Sequence, residues 1–180
     1  AGAAAYIFVI QPAMITSQAE GLVAAGDYES AIGLYEENDR PEDADAVRLD
    51  WAKALESSGD YESAIGLYEG LGMGDAADAA HLAWVRALER SGNYASAVAL
   101  CEDASLANSV RFDWAQSYEA SGDYEQAVGL YERVGETAAA DAARLAWAES
   151  LESSGDFMAA AGLYDGLGMG EEADAARLAR

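Results

Sequence analysis

Gly59-Asp60-Tyr61-Glu62-Ser63-Ala64-Ile65-Gly66-Leu67-Tyr68-Glu69 decides the fold, because the chain carries this string twice. The same residues stand at Gly26–Glu36, and close variants begin at Gly92, Gly122 and Gly155. The spacings are 33, 33, 30 and 33 residues, so five units cover nearly the whole chain. A period of this size is the sign of a repeat architecture.

Set in columns, the units separate structure from ornament. After the glycine comes Asp27, Asp60, Asn93, Asp123 or Asp156, then an aromatic: Tyr28, Tyr61, Tyr94, Tyr124 or Phe157. Ala31, Ala64, Ala97, Ala127 and Ala160 follow three residues on, and Leu34, Leu67, Leu100, Leu130 and Leu163 three later still. That spacing puts the side chains on one helical face. The glycine accepts the left-handed conformation that ends a helix, and the aspartate can cap the next one.

The stretch before each glycine reads as another helix. It carries Trp51, Trp84, Trp114 and Trp147, followed four residues on by Leu55, Leu88, Tyr118 and Leu151. Near its start lie Asp45, Asp78, Asn108, Asp141 and Asp174, expected as caps. Three residues later sit Arg48, His81, Arg111, Arg144 and Arg177, placed to touch them. No run alternates as a half-buried strand would. Each unit is thus a helical hairpin that cannot bury its apolar face alone, and stacked hairpins share a continuous core. The tryptophan column reads as that core, not as a ligand-stacking ladder, with ~3–5 kcal/mol expected per truncation to alanine.

These residues carry a resemblance. In Leu49–Glu69, the pair Trp51-Ala52 and then Leu55, Gly59, Tyr61, Ala64 and Tyr68 are similar to the signature of the tetratricopeptide repeat. The same holds for Leu82–Cys101, Phe112–Tyr131 and Leu145–Tyr164. The units depart in lacking the family's proline after the second helix, Pro41 excepted, and the third is three residues short around Asp103–Asn108. The resemblance covers Pro12–Arg180. It implies an all-α, right-handed solenoid of about five hairpins and a role in protein–protein binding.

Composition excludes several function classes. The chain has 180 residues, 33 acids against 10 bases, and a net charge of −23. Its bases are nine arginines and Lys53. Such a chain does not hold nucleic acid by phosphate neutralisation or lie on an anionic membrane. At 52% apolar residues it is not a disordered acidic tail. Its surface is kept soluble by negative charge, in an ordinary or a salty medium. One cysteine and one histidine exclude an internal disulfide framework and any multi-histidine or cysteine-rich metal site.

No constellation for chemistry stands out. His81 sits in the arginine column and reads as a structural substitute. Cys101 fills the column of Tyr35, Tyr68, Tyr131 and Tyr164 and reads as a small packer. Glu36-Glu37, Asp39 and Glu42-Asp43 lack the spaced ligands of a calcium loop. The Gly-x-Gly pieces at Gly70–Gly74 follow a helix, not a strand, so they are not nucleotide loops. We expect no enzyme, no cofactor and no metal.

Two interaction surfaces are expected instead. In tetratricopeptide proteins the first helices line a groove. The residues resembling groove positions are Leu49, Leu82, Phe112 and Leu145, then Lys53, Arg86, Gln116 and Glu149, then an acidic row of Glu56, Glu89, Glu119 and Glu152. The set that grips a peptide's terminal carboxylate in some members is not reproduced, so a basic or amphipathic peptide is the better fit.

The second surface lies at the ends. Tyr6, Ile7, Phe8, Val9 and Ile10 form an apolar run in an uncharged segment, Ala1–Gln11, ahead of Pro12–Arg180. Five such residues are too few to span a bilayer, and there is no basic start as in a signal peptide. Asp174–Arg180 repeats the sequence of Asp141–Trp147 but breaks off as a partial unit, and Asp174, Arg177, Leu178 and Arg180 mark it. An apolar run at one end and an incomplete hairpin at the other suit head-to-tail assembly into a homopolymeric filament. The alternative is a monomeric adaptor. The filament reading goes with an extracellular or cell-surface location, the alternative being cytoplasmic; the start at Ala1, without methionine, is consistent with processing and also with an omitted start.

Overall fold

In a computed structural model, the structure describes residues 11–179. The expectations for Tyr6–Ile10 and Arg180 lie outside the described residues. Among these, all regular structure is helical: α1 Gln11–Ala24, α2 Tyr28–Glu36, α3 Pro41–Ser58, α4 Tyr61–Gly70, α5 Gly74–Arg90, α6 Tyr94–Leu100, α7 Ala104–Ser121, α8 Tyr124–Val134, α9 Thr137–Ser154, α10 Phe157–Gly166 and α11 Gly170–Leu178.

The repeat string explains the joints. Gly59 stands at φ 91° and closes α3, and the next amide, Asp60 N–H, reaches back to the Leu55 carbonyl at 2.9 Å. Only glycine holds that left-handed turn without a Cβ penalty. The Asp60 carboxylate then accepts the Ser63 amide at 3.2 Å and caps α4, as Asp27 does for Ser30 at 3.1 Å. Asp123 differs: it receives the Ser121 hydroxyl at 3.1 Å and leaves the start of α8 without a side-chain cap.

By its contacts the chain forms two compact units, Ala1–Trp84 and Val85–Arg180. In the first, α1 packs on α2, α2 on α3 and α3 on α4. Its core joins Ala31, Ile32, Tyr35, Ala44 and Val47, then Ala52, Ala64, Tyr68, Ala77 and Ala80. Arg40 ties α1 to the start of α3. Its guanidinium donates to the Pro12 carbonyl at 3.1 Å, the Thr16 hydroxyl at 2.9 Å and Asp43 at 2.7 Å, and lies 4.7 Å over the Tyr35 ring. In the second unit α6 packs on α7, and each helix from α7 to α10 packs on the next. Its clusters centre on Val85, Ala97 and Val110, on Ala115, Ala127, Tyr131 and Ala140, and on Ala148, Ala160, Tyr164 and Ala176.

Three expectations need correction. None of Asp45, Asp78, Asn108, Asp141 and Asp174 caps; α3, α5, α7, α9 and α11 begin a turn earlier, at Pro41, Gly74, Ala104, Thr137 and Gly170. Proline suits that first position because its missing N–H is not needed there, but Thr137 and Gly170 open their helices in the same column, so the register and not Pro41 sets the start. Second, α1 takes in Gln11, which the sequence places in the uncharged segment ahead of Pro12, and ends at Ala24. Third, the tryptophans are half-buried on the flank, and the residues after them, Ala52, Val85, Ala115 and Ala148, are the sealed ones at 0% exposure. Truncating a half-buried tryptophan removes less buried surface, so the loss belongs at the low end of the expected range.

Candidate functional site

The arginine column acts as a series of clasps between consecutive hairpins. Arg48 on α3 bonds Asp45 of its own helix at 2.6 Å and reaches Glu36 on α2. Arg144 on α9 does the same with Asp141 at 2.7 Å and with Glu132 on α8. Arg177 on α11 bonds Asp174 at 2.9 Å and Asp165 on α10. The bond that Arg177 donates to Asp174, and then the charge of Asp165, raise the Arg177 pKa. Arg111 bonds Asn108 at 2.9 Å; in its shortened unit α6 ends at Leu100, ahead of Glu102, which occupies the bridging column. His81 sets its ring edge-on to Trp84, with centroids 6.5 Å apart, and fills the arginine column by packing.

Three of the four acids in the acidic row, Glu89 being the exception, are spent inside the hairpins. Tyr68, Tyr131 and Tyr164 each donate a hydroxyl hydrogen, to Glu56, Glu119 and Glu152, at 3.0 Å. Twelve residues separate each pair, so the second helix of a hairpin is pinned to the first. Both columns recur in the sequence, but spacing alone does not show that the tyrosine of one helix meets the acid of the other.

The remaining surface residues fall into three groups. Leu49, Phe112 and Leu145 pack against the core clusters of their own hairpins, and Leu82 is half-buried. Arg86 and Glu149 are exposed. Leu178 occupies the same column as Leu49, Phe112 and Leu145, yet it is 86% exposed at the end of α11.

A cavity of about 330 Å³ opens between α1 and α3. Ala19, Val23 and Val47 give it an apolar lining, with Glu20, Asp43 and Asp50 also at its walls. Among the described residues no helix is long and apolar enough to cross a membrane, and no three His, Cys, Asp or Glu converge as a metal site requires.

A family model described as tetratricopeptide repeat matches residues 115–144, from the second half of α7 through α8 into α9. No curated protein matches the chain. The matched stretch holds the Tyr131–Glu119 pair, the Gly122 turn and the Arg144 clasp, and the same columns recur in the other units. The chain is therefore built of tetratricopeptide-type helical hairpins, a repeat whose usual role is to hold other proteins.

Proposed function

We propose that this protein is a non-catalytic interaction scaffold that joins copies of itself head to tail, with Tyr6–Ile10 of one copy seated on the α11 face of the next. The observation that carries this reading is Leu178. Its column partners Leu49, Phe112 and Leu145 are half-buried against the core clusters, whereas Leu178 is 86% exposed. Such a contact is heterologous, so it propagates unless the rotation closes a ring. Asp174 and Arg177, paired beside it, form a polar rim.

The test is to replace Phe8 and Val9 by aspartate in one variant and Leu178 by aspartate in another. Sedimentation and electron microscopy should show wild-type filaments and two helical monomers. Mixing the two variants should give capped dimers, since each keeps one intact end. Filaments from either variant, or none from the wild type, would overturn the assembly.

The α1–α3 cavity favours a second reading, an adaptor for a basic peptide. Apolar walls with three carboxylates suit a lysine or arginine, whose stem is apolar and whose head is charged. Binding of an arginine-rich amphipathic peptide that is lost on replacing Glu20 and Asp50 by their amides would support it.

A further inference from the structure

The third unit breaks the repeat in two places, and the fold brings both breaks together. Where other units read Gly-Asp-Tyr-Glu, at Gly26–Glu29, Gly59–Glu62 and Gly122–Glu125, this one reads Gly92-Asn93-Tyr94-Ala95. Two carboxylates are thus replaced by an amide and a methyl group. On α7, Tyr118 stands where the other units carry Leu55, Leu88 and Leu151.

In space these departures line one cavity of about 360 Å³ between the start of α6 and the second half of α7. Tyr94 lies parallel to Trp114, with centroids 6.0 Å apart and planes 10° apart. Trp114 lies against Tyr118 at 5.8 Å and 24°. The first unit has a two-ring version of this stack, Tyr28 on Trp51 at 5.8 Å and 3°, with Leu55 where the third ring would be. Ser96, Ser117 and the Asn93 amide complete the polar lining. The carboxylate in its lining, Asp123, already accepts the Ser121 hydroxyl at 3.1 Å.

We propose that this cavity binds a neutral saccharide. Removing two acids removes what a cation would seek, and the field of a chain at −23 repels anions. What is left is aromatic surface beside hydroxyl and amide groups that both donate and accept. A pyranose has matching chemistry: a C–H face that lies on an aromatic ring, and a rim of hydroxyls that exchange hydrogen bonds. The cavity is an open surface cleft, so a sugar would lie along it and not be enclosed. The site is independent of the assembly reading, since it uses neither Tyr6–Ile10 nor α11.

The test uses the full chain and saturation-transfer NMR with calorimetry, taking cellohexaose, maltohexaose and chitohexaose (its N-acetylated form) as probes. The variants are Tyr118→Leu and, separately, Ala95→Glu. Both install residues that other units already carry, and thermal melts check that the fold is kept. At least one sugar should receive saturation from the wild type, with affinity falling roughly tenfold in Tyr118→Leu, the scale of one lost aromatic contact. Ala95→Glu should weaken binding as well, and serves alone if Tyr118→Leu misfolds. Binding of no sugar, or equal binding by wild type and variants, would overturn the proposal. So would binding of decaproline in place of the sugars with the same loss in the variants, which would make the cavity a peptide site.

Discussion

Tyr131 donates its hydroxyl hydrogen to Glu119 at 3.0 Å, and the pair pins α8 to α7 from inside the hairpin. The tyrosine is 2% exposed, so its hydroxyl has little water to turn to if the carboxylate is lost. Tyr68–Glu56 and Tyr164–Glu152 repeat the pair in two other units. Tyr131→Phe should therefore destabilise the protein by about 0.5–1.5 kcal/mol, the net worth of one hydrogen bond. Urea unfolding measures this; an unchanged midpoint would mean the bond contributes nothing.

The same pair gives a signed pH dependence. Burial, then the bond to Glu119 and its charge, push the Tyr131 hydroxyl up to about 12. Tyr68 and Tyr164 are raised in the same direction, first by burial and then by their glutamates. An unfolded tyrosine titrates near ~10. A pKa raised by folding stabilises fully below the unfolded value, and that stability is lost as pH rises through the folded one. Stability should thus fall between pH ~10 and ~12, and the fall should be shallower in Tyr131→Phe. Parallel slopes for the two proteins would contradict this.

Much of the hairpin architecture was legible because the repeat states each column several times. Gly59 and Asp60 name a helix stop and a cap, and the structure places both there. The acidic row is ambiguous in sequence because a groove acid and an acid bonded to a tyrosine are the same letter. Only the placement of Tyr131, one helix on, shows that Glu119 is spoken for. A tryptophan's size points to the core whether or not its neighbour is the deeper residue, and here the sealed positions belong to Ala52, Val85, Ala115 and Ala148. Tyr118 was legible as a departure from a leucine column, but its meeting with Tyr94 across Trp114 needed the fold.

His81 stands where Arg48, Arg144 and Arg177 make clasps, with Asp78 and Glu69 in the partner columns. His81→Arg should add the missing clasp. Exposed pairs are worth about 0–1 kcal/mol, so the gain is small and should shrink in high salt. A melting temperature that falls in this variant at low salt would count against the column reading.

Salt acts in two directions on this chain. It screens the clasps, which weakens the fold slightly, and it screens repulsion among 33 acids set against 10 bases. The clasps involve few charges, whereas compaction brings all the acids closer. The second effect should win, so the denaturation midpoint should rise from low salt to about 0.15 M sodium chloride, where the screening length is ~8 Å. A midpoint that drops over that range would show that the clasps dominate.

Glu89 and Glu119 occupy one column but should respond oppositely to the same substitution. Glu119 has Tyr131 as its donor, whereas Cys101 stands in the tyrosine column opposite Glu89 and donates its thiol to the Ala97 carbonyl at 3.2 Å. Burial raises the Glu89 pKa and the charge of Asp113 adds to it, with Arg86 opposing. The folded state therefore disfavours ionised Glu89, and the protein loses stability as pH rises through that raised value. Glu119→Ala leaves a buried hydroxyl without its acceptor and should cost about 1–3 kcal/mol. Glu89→Ala removes a disfavoured charge and should be neutral or stabilising at pH 7. As pH falls into the carboxylate range, the wild type should gain on Glu89→Ala. Side-by-side denaturation of the two variants decides it, and equal losses at pH 7 would show that the tyrosine does not distinguish the two sites.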